Sequence, residues 1–188
     1  NDKFYMGVEL EIDKGGEDQD NAEILLDIVN NDNEYIYCKH DGSIDYGFEI
    51  VSHPATLEYH TKNIQWQNLM TKAISLEYRS HDTSTCGLHI HISRQAFGDT
   101  YEQQEENISK VIYFVENNWY NVLRFTRRSE ENLNRWASRY GIEPTVEDTY
   151  KKAKGSCDRY KCINLQNSNT VEFRMFRGTL KYTTFLAT

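Results

Sequence analysis

Proline is scarce in this chain, two residues among 188, and no apolar run is long enough to span a membrane. No secretory leader opens it, and it starts at Asn1 without methionine, as a processed or trimmed terminus would. The four cysteines, Cys38, Cys86, Cys157 and Cys162, form no Cys-x-x-Cys pair. That argues against a structural zinc site, and the cysteine density is too low for a small disulfide scaffold. Free thiols in a reducing cytoplasm are the simplest reading. Positive charge is also in deficit: 21 Lys and Arg stand against 29 Asp and Glu, for a net charge of -8. Sequence-blind binding to nucleic acid or to an anionic membrane is therefore disfavoured. Phosphate ligands stay open, because bound divalent cations reverse the local field. There is no Walker A pattern, no Gly-x-Gly-x-x-Gly opening a helix and no nucleophile elbow, so the common phosphate loops are missing. No internal repeat or low-complexity tract is found.

What is there suits a packed α+β domain. Hydrophobic residues make up 38%, charged residues 27%, and tyrosine is abundant at 13. The length fits a single domain over 1–188. A polar segment at 129–156 reads as a helical insertion or lid, or equally as ordinary surface helices. Periodicity predicts helices over 20–31, 56–78, 100–126, 130–140 and 145–154. The first is expected to open with a capping pair, Asp20 and Glu23, and to bury Ile24, Leu25, Ile28 and Val29. The second should bury Leu57, Ile64, Leu69, Ala73, Ile74 and Leu76, with Trp66 near its edge. Thr100 and Gln103 form a second capping box. Arg124, Arg127 and Arg128 close the third helix, either as favourable charges at a helix C-terminus or as a phosphate or carboxylate contact.

Four strands share one design. Gly87–Ser93 alternates with period two, Leu88, Ile90 and Ile92 on one face and His89, His91 and Ser93 on the other. Met6–Ile12 sets Val8, Leu10 and Ile12 against Glu9 and Glu11. Gly47–Ser52 sets Phe48 and Ile50 against Glu49. Thr170–Phe176, paired as a hairpin with Tyr160–Leu165, sets Val171, Phe173 and Met175 against Glu172 and Arg174. Each strand alone reads as well as a solvated face with surface glutamates. A curved antiparallel sheet would bring four glutamates, two histidines and an arginine to one side. Carboxylates so crowded need more than one cation, or repulsion would raise their pKa values until some protonated. An oxygen-rich set suits Mg²⁺ or Mn²⁺. Two or three such ions with an arginine make a site for polyphosphate. Cys86 lies near His89, but the strand does not pair it with a base. A metal-dependent hydrolase, or a non-catalytic relative that binds nucleotide or metal, would use the same residues.

The motifs GVELEI (7–12), HDGSI (40–44), GFEIVS (47–52), GLHIHIS (87–93), NL (164–165) and TVEFRMFRGTL (170–180) occur in order along nearly the whole chain. In them the chain resembles the amidoligase family, of the glutamine synthetase and glutamate–cysteine ligase superfamily of carboxylate–amine ligases. The resemblance implies an α+β fold with a curved, mainly antiparallel sheet forming a funnel-like active site, and helices on its outer face. It implies ATP with Mg²⁺ or Mn²⁺, activating a carboxylate as an acyl phosphate that an amine attacks. Carried over by position, Glu11 and Glu49 bind the metal near the carboxylate substrate. Glu9, His89 and Glu172 bind the metal at the ATP phosphates. Arg174 stabilises the transferring phosphoryl group, and His91 orients phosphate or supports a ligand. Asn164 belongs to the nucleotide or substrate side, Asp41 and Ser43 to the substrate mouth. Arg94, Arg159 and Arg177 are phosphate or substrate contacts without a firm match. The partners implied are an amine and a carboxylate, from an amino acid, peptide, cell-wall fragment or protein side chain, and further copies of the chain. The family continues past Thr188, which implies a further C-terminal segment.

Overall fold

The computed structural model describes residues 4–31 and 33–188. Among them are six strands and eight α-helices, a mixed α+β fold. The chain divides into two compact units. One holds Met6–His89 with Arg177–Thr188, the other Ile90–Phe176 with the N-terminal residues to Tyr5.

In the first unit the elements are β1 (Met6–Ile12), α1 (Gln19–Asn30), β2 (Ile36–Lys39), β3 (Phe48–Ser52), α2 (Leu57–Lys62), α3 (Trp66–Ser75), the opening of β4 (Gly87–Ser93) and α8 (Tyr182–Leu186). Its strand order is β2-β3-β1-β4. Both neighbours of β3 run antiparallel to it, with Glu11 opposite Glu49 and Lys39 opposite Glu49. Leu10, Ile12, Leu25, Ile36, Ile50 and Leu69 are sealed in its core. Helix α1 packs on β2 and α3. Its N-cap is Asp18, not Asp20: the Asp18 carboxylate accepts the Asn21 N–H at 2.8 Å. Only Leu25 and Val29 of the expected stripe are fully buried, and Ile24 is exposed.

The helix expected over 56–78 is two helices. Ile64 and Trp66 are both buried, and residues two apart on a helix point to opposite sides. Burying both requires a break, which falls at 63–65. Trp66, placed near an edge by periodicity, is wholly buried against Phe185, ring centroids 5.0 Å apart. Leu57 and Ile74, expected inside, are exposed.

The second unit contains the remainder of β4, a 3-10 turn (Arg94–Phe97), α4 (Tyr101–Asn117), α5 (Trp119–Thr126), α6 (Glu130–Trp136), α7 (Val146–Lys154), β5 (Ile163–Asn164) and β6 (Thr170–Arg177) up to Phe176. Its strand order is β4-β6-β5, and β5 pairs antiparallel with β6, Asn164 opposite Glu172. The Thr100–Gln103 capping box is present, each residue bonding the other's backbone N–H at 3.3 Å. The long helix expected over 100–126 breaks at Asn118, whose carboxamide takes the Phe114 carbonyl at 2.8 Å. Such local side-chain bonding competes with helix continuation.

The helix expected to reach Tyr140 stops at Trp136. The buried Glu116 carboxylate decides this. It accepts Tyr140 N–H at 2.6 Å, Gly141 N–H at 3.0 Å and Arg139 Nε at 2.9 Å, which holds 139–141 out of helical form. The 129–156 segment thus carries α6 and α7, and α7 packs on α4. No helix of the described residues is long and apolar enough to cross a membrane.

Candidate active site

In the first unit, register alone sets three charged groups in one row across three strands: Lys39 on β2, Glu49 on β3 and Glu11 on β1. Like charges directly opposite repel, and Lys39 relieves this in part, its Nζ 3.0 Å from Glu49 Oε2. Glu49 is 2% exposed and Glu11 3%. His89 on β4 stands between two carboxylates, Nδ1 at 3.2 Å from Glu9 Oε2 and Nε2 at 3.7 Å from Glu11 Oε1. The Gly87 N–H also donates to Glu11. From the turn after β2, Asp41 joins the group.

Ligand-type atoms of Glu9, Glu49 and His89 lie within 4.8 Å of one another, as do those of Glu11, Asp41 and Glu49. The charge balance shows in Glu49. Burial first, then its hydrogen bond to Asp41 and the nearby Glu9 charge, push its carboxyl up to about 8. Burial also acts to raise Asp41. Hydrogen bonds from Ser43 and Glu49, with the Lys39 charge, outweigh it and hold Asp41 below the usual carboxylate range. Lys39 is pushed up by its bond to Glu49. The set is four carboxylates, one imidazole and one ammonium. Such oxygen-rich excess negative charge fits a hard divalent cation.

In the second unit, Glu172 is the centre. It is 5% exposed. Its Oε1 accepts from Arg174 Nη1 at 2.5 Å and its Oε2 from Asn164 Nδ2 at 2.8 Å. His91 lies between Thr170 Oγ1, 3.2 Å from Nδ1, and Glu172 Oε1, 3.8 Å from Nε2. The Arg174 guanidinium rests over the Tyr160 ring at 5.8 Å, and its Nε meets no acceptor among the described residues. This is a largely buried cation held by a carboxylate, with a buried Nε–H left without an acceptor among the described residues. Arg128, grouped by sequence with a basic cluster, is buried and donates to the Arg174 carbonyl at 3.2 Å.

Over residues 15–187 the chain matches the family described as "Putative amidoligase enzyme". The chain belongs to that amidoligase family. No curated protein matches it. The matched span starts after β1, so Glu9 and Glu11 precede it.

The remaining expected residues fall as follows. Arg94 donates to the Leu165 carbonyl at 3.1 Å and sits 3.6 Å from Glu105. Arg177 is exposed and donates to the His81 carbonyl at 2.6 Å. Arg159, also exposed, donates to Tyr160 Oη at 2.8 Å. The Ser43 hydroxyl bonds to Asp41 at 2.6 Å. All four cysteines are free. Burial pushes the Cys86 thiol up to about 12, which disarms it as a nucleophile.

Sequence reasoning missed Lys39 and the full part played by Asp41. A lysine on the strand adjoining Glu49 was the available signal, but only register places it opposite. A cavity lined by Arg94, Glu105, Tyr150 and Lys154 was also missed. It is built by α4, α7 and the β5–β6 turn, which sequence spacing does not bring together.

Proposed function

We propose that the protein is an ATP-dependent carboxylate–amine ligase of the glutamine synthetase and glutamate–cysteine ligase superfamily. It joins an acid and an amine as an amide or isopeptide through an acyl phosphate, using two or three Mg²⁺ or Mn²⁺ ions. The observation that carries the reading is the Lys39–Glu49–Glu11 row with Glu9, Asp41 and His89 beside it. Four carboxylates so close together, two of them buried, have too little positive charge around them unless cations bind. Membership of the amidoligase family supports the reading.

Glu9, Glu11, Asp41, Glu49 and His89 would hold cation there. A bound divalent ion would neutralise carboxylate and phosphate oxygens. The chain's own groups do the rest by position. Arg174 would meet phosphate oxygens, and Glu172 fixes the guanidinium. Asn164 fixes Glu172 in turn, and His91 beside Glu172 orients phosphate. Arg94 and Arg177 are further phosphate or substrate contacts in this reading. It also takes the strands to line the funnel-like active site of that superfamily, with helices on the outer face. It takes the chain to be cytoplasmic and to assemble with its own copies.

Thermal melting with cation and ATP tests the assignment. ATP with Mg²⁺ or Mn²⁺ should raise the melting temperature more than cation alone. At a hundredfold excess over Kd the gain is about 2.7 kcal/mol. ADP should appear only when both an amine and a carboxylate are supplied. Glu172→Gln should keep the fold and lose cation-dependent ATP binding. Turnover that needs cation but no nucleotide would instead mark a hydrolase.

A further inference from the structure

Strand β2 lies at the outer end of the β2-β3-β1-β4 order. Antiparallel pairing turns the N–H and C=O groups of alternate residues to opposite edges of a strand. The His53 N–H donates to the Tyr35 carbonyl at 2.9 Å, so Tyr37 and Lys39 turn their groups to β3 in the same way. Ile36 and Cys38 turn theirs to the outer edge. At Ile36 that edge is closed: the Asn30 carboxamide accepts its N–H at 3.0 Å and donates to its carbonyl at 2.8 Å. At Cys38 it is open, for the backbone N–H and C=O there meet no partner among the described residues.

A cavity of about 310 Å³ lies at this open rung, within the range of ligand pockets, on the order of 300–1,000 Å³. Its apolar lining includes Ala22, Cys38 and Phe48, and its ionisable lining is Glu17, Asp18, Lys39 and His40. Cys38 and Phe48 direct their side chains to the face that α1 covers, whereas Lys39 directs its own to the face of Glu49 and Glu11. Lys39 is bonded to Glu49, and Glu17 to His40 at 2.6 Å. Asp18 pairs with no cation among the described residues; one of its oxygens caps α1 at the Asn21 N–H. The cavity therefore favours a cationic group on an apolar stem.

The open rung, this cavity and the carboxylate row thus meet at β2. A strand added there would bond its backbone to Cys38 and place the side chain of that residue in the cavity. Its next side chain would stand opposite Lys39, about 5 Å away. A carboxylate at that point extends the row of Glu11, Glu49 and Lys39. We infer that the acid substrate is an extended peptide docked on β2 as an added strand, with Asp or Glu opposite Lys39 and Lys or Arg opposite Cys38. The inference rests on the ligase reading above and gives the class of its acid. In that reaction the peptide's side-chain carboxylate takes the terminal phosphoryl group of ATP and ADP leaves. The amine then displaces phosphate and gives up a proton, which leaves the amide.

Equilibrium binding on the full chain tests it. The probes are dye-labelled, end-blocked threonine hexapeptides with adjacent Lys and Glu, in both orders because the added strand can run either way. Wild type should bind one of them. N-methylation of its Lys amide removes the bond to the Cys38 carbonyl and should weaken binding about tenfold. Asp18→Asn keeps a good N-cap and removes the charge. It should weaken the Lys peptide several-fold and leave a norleucine peptide unchanged. With Mg²⁺-ATP and hydroxylamine as the amine, the Glu peptide should form a hydroxamate and release ADP, and its Gln counterpart should not. Mg²⁺-ATP binding is measured on the same samples. Where ATP binds, an N-methylated peptide held as tightly as its parent, an Asp18→Asn variant that treats both peptides alike, or a bound Glu peptide that yields no hydroxamate would each overturn the inference and leave the ligase reading standing. A wild type that binds ATP and neither peptide would do the same. A wild type that binds no ATP would overturn the ligase reading, and the peptide as its acid with it.

Discussion

Glu49 carries the conflict on which the candidate site turns. It is buried, faces Glu11 across the β1–β3 pair and is offset by a half-exposed Lys39. In Glu49→Gln the charge that burial and Glu9 oppose is gone, while the amide can still reach Lys39's neighbours. We expect the cation-free variant to be more stable than wild type at pH 8.5 by about 1 kcal/mol or more. Its melting temperature should no longer respond to Mg²⁺ or Mn²⁺. Denaturant melts with and without cation would check both, and a variant that still gains full stability from Mn²⁺ would remove Glu49 from the ligand set. That Glu49 is a site residue was legible in the period-two pattern of its strand. That its carboxyl is pushed up to about 8 was not, because its partners Lys39 and Asp41 reach it through strand pairing and a turn.

At the scale of elements, the site depends on how β3 is laid against β1. Gly47 begins that approach. A Cβ at this position would run into the Ile12 carbonyl and come within 2.7 Å of Asp13 Cα. Gly47→Ala should therefore cost about 1–3 kcal/mol as overpacking and weaken Mn²⁺ binding by displacing Glu49 from Glu11. Gly42→Ala is the control, since nothing lies within 4 Å of a Cβ there, and it should leave both quantities unchanged. Urea melts and a Mn²⁺ titration measure them. Strands were readable because a single face decides their pattern. Helix ends were not. The breaks at 63–65, Asn118 and Ala137 follow from Ile64 and Trp66 both needing burial, from an asparagine taking a backbone carbonyl, and from Glu116 gathering three donors. Each is a tertiary or side-chain demand that outweighs helical periodicity.

For the whole molecule, two buried groups in the Met6–His89 unit set opposite limits on stability. Burial lowers the pKa of His60, although its bond to the Met6 carbonyl acts the other way. Its Nε2 lies 3.0 Å from that carbonyl and its Nδ1 faces the Trp66 indole N–H at 3.4 Å. A second proton would set two donors against each other. A depressed folded pKa means stability is present above the ordinary histidine value of 6.5 and is lost as pH falls below it. Glu49 is the reverse case. Its folded pKa is raised from 4.5 to about 8, so its contribution is full below 4.5 and lost as pH rises towards 8. The cation-free protein should be most stable between these limits, near pH 5.5–6.5. Saturating Mg²⁺ or Mn²⁺ should remove the alkaline loss and leave the acid one. Melting temperatures from pH 4.5 to 9 check this, and an alkaline limb that persists with saturating cation would contradict the cluster as a cation site.

From its residue order alone, this chain determined the strands that carry Glu9, Glu11, Glu49, His89, Glu172 and Arg174, and its place among amidoligases. Both are written in short-range alternation and in the order of motifs, which need no knowledge of packing. Only the tertiary structure decided which of those groups share a row, that Lys39 and Asp41 belong with them, and that Asn164 ties Glu172 to a cavity lined by tyrosines. The reason is physical. Charge pairing and cavity walls arise between residues far apart in the chain, and strand register and helix packing set their distances, which spacing along the sequence does not encode.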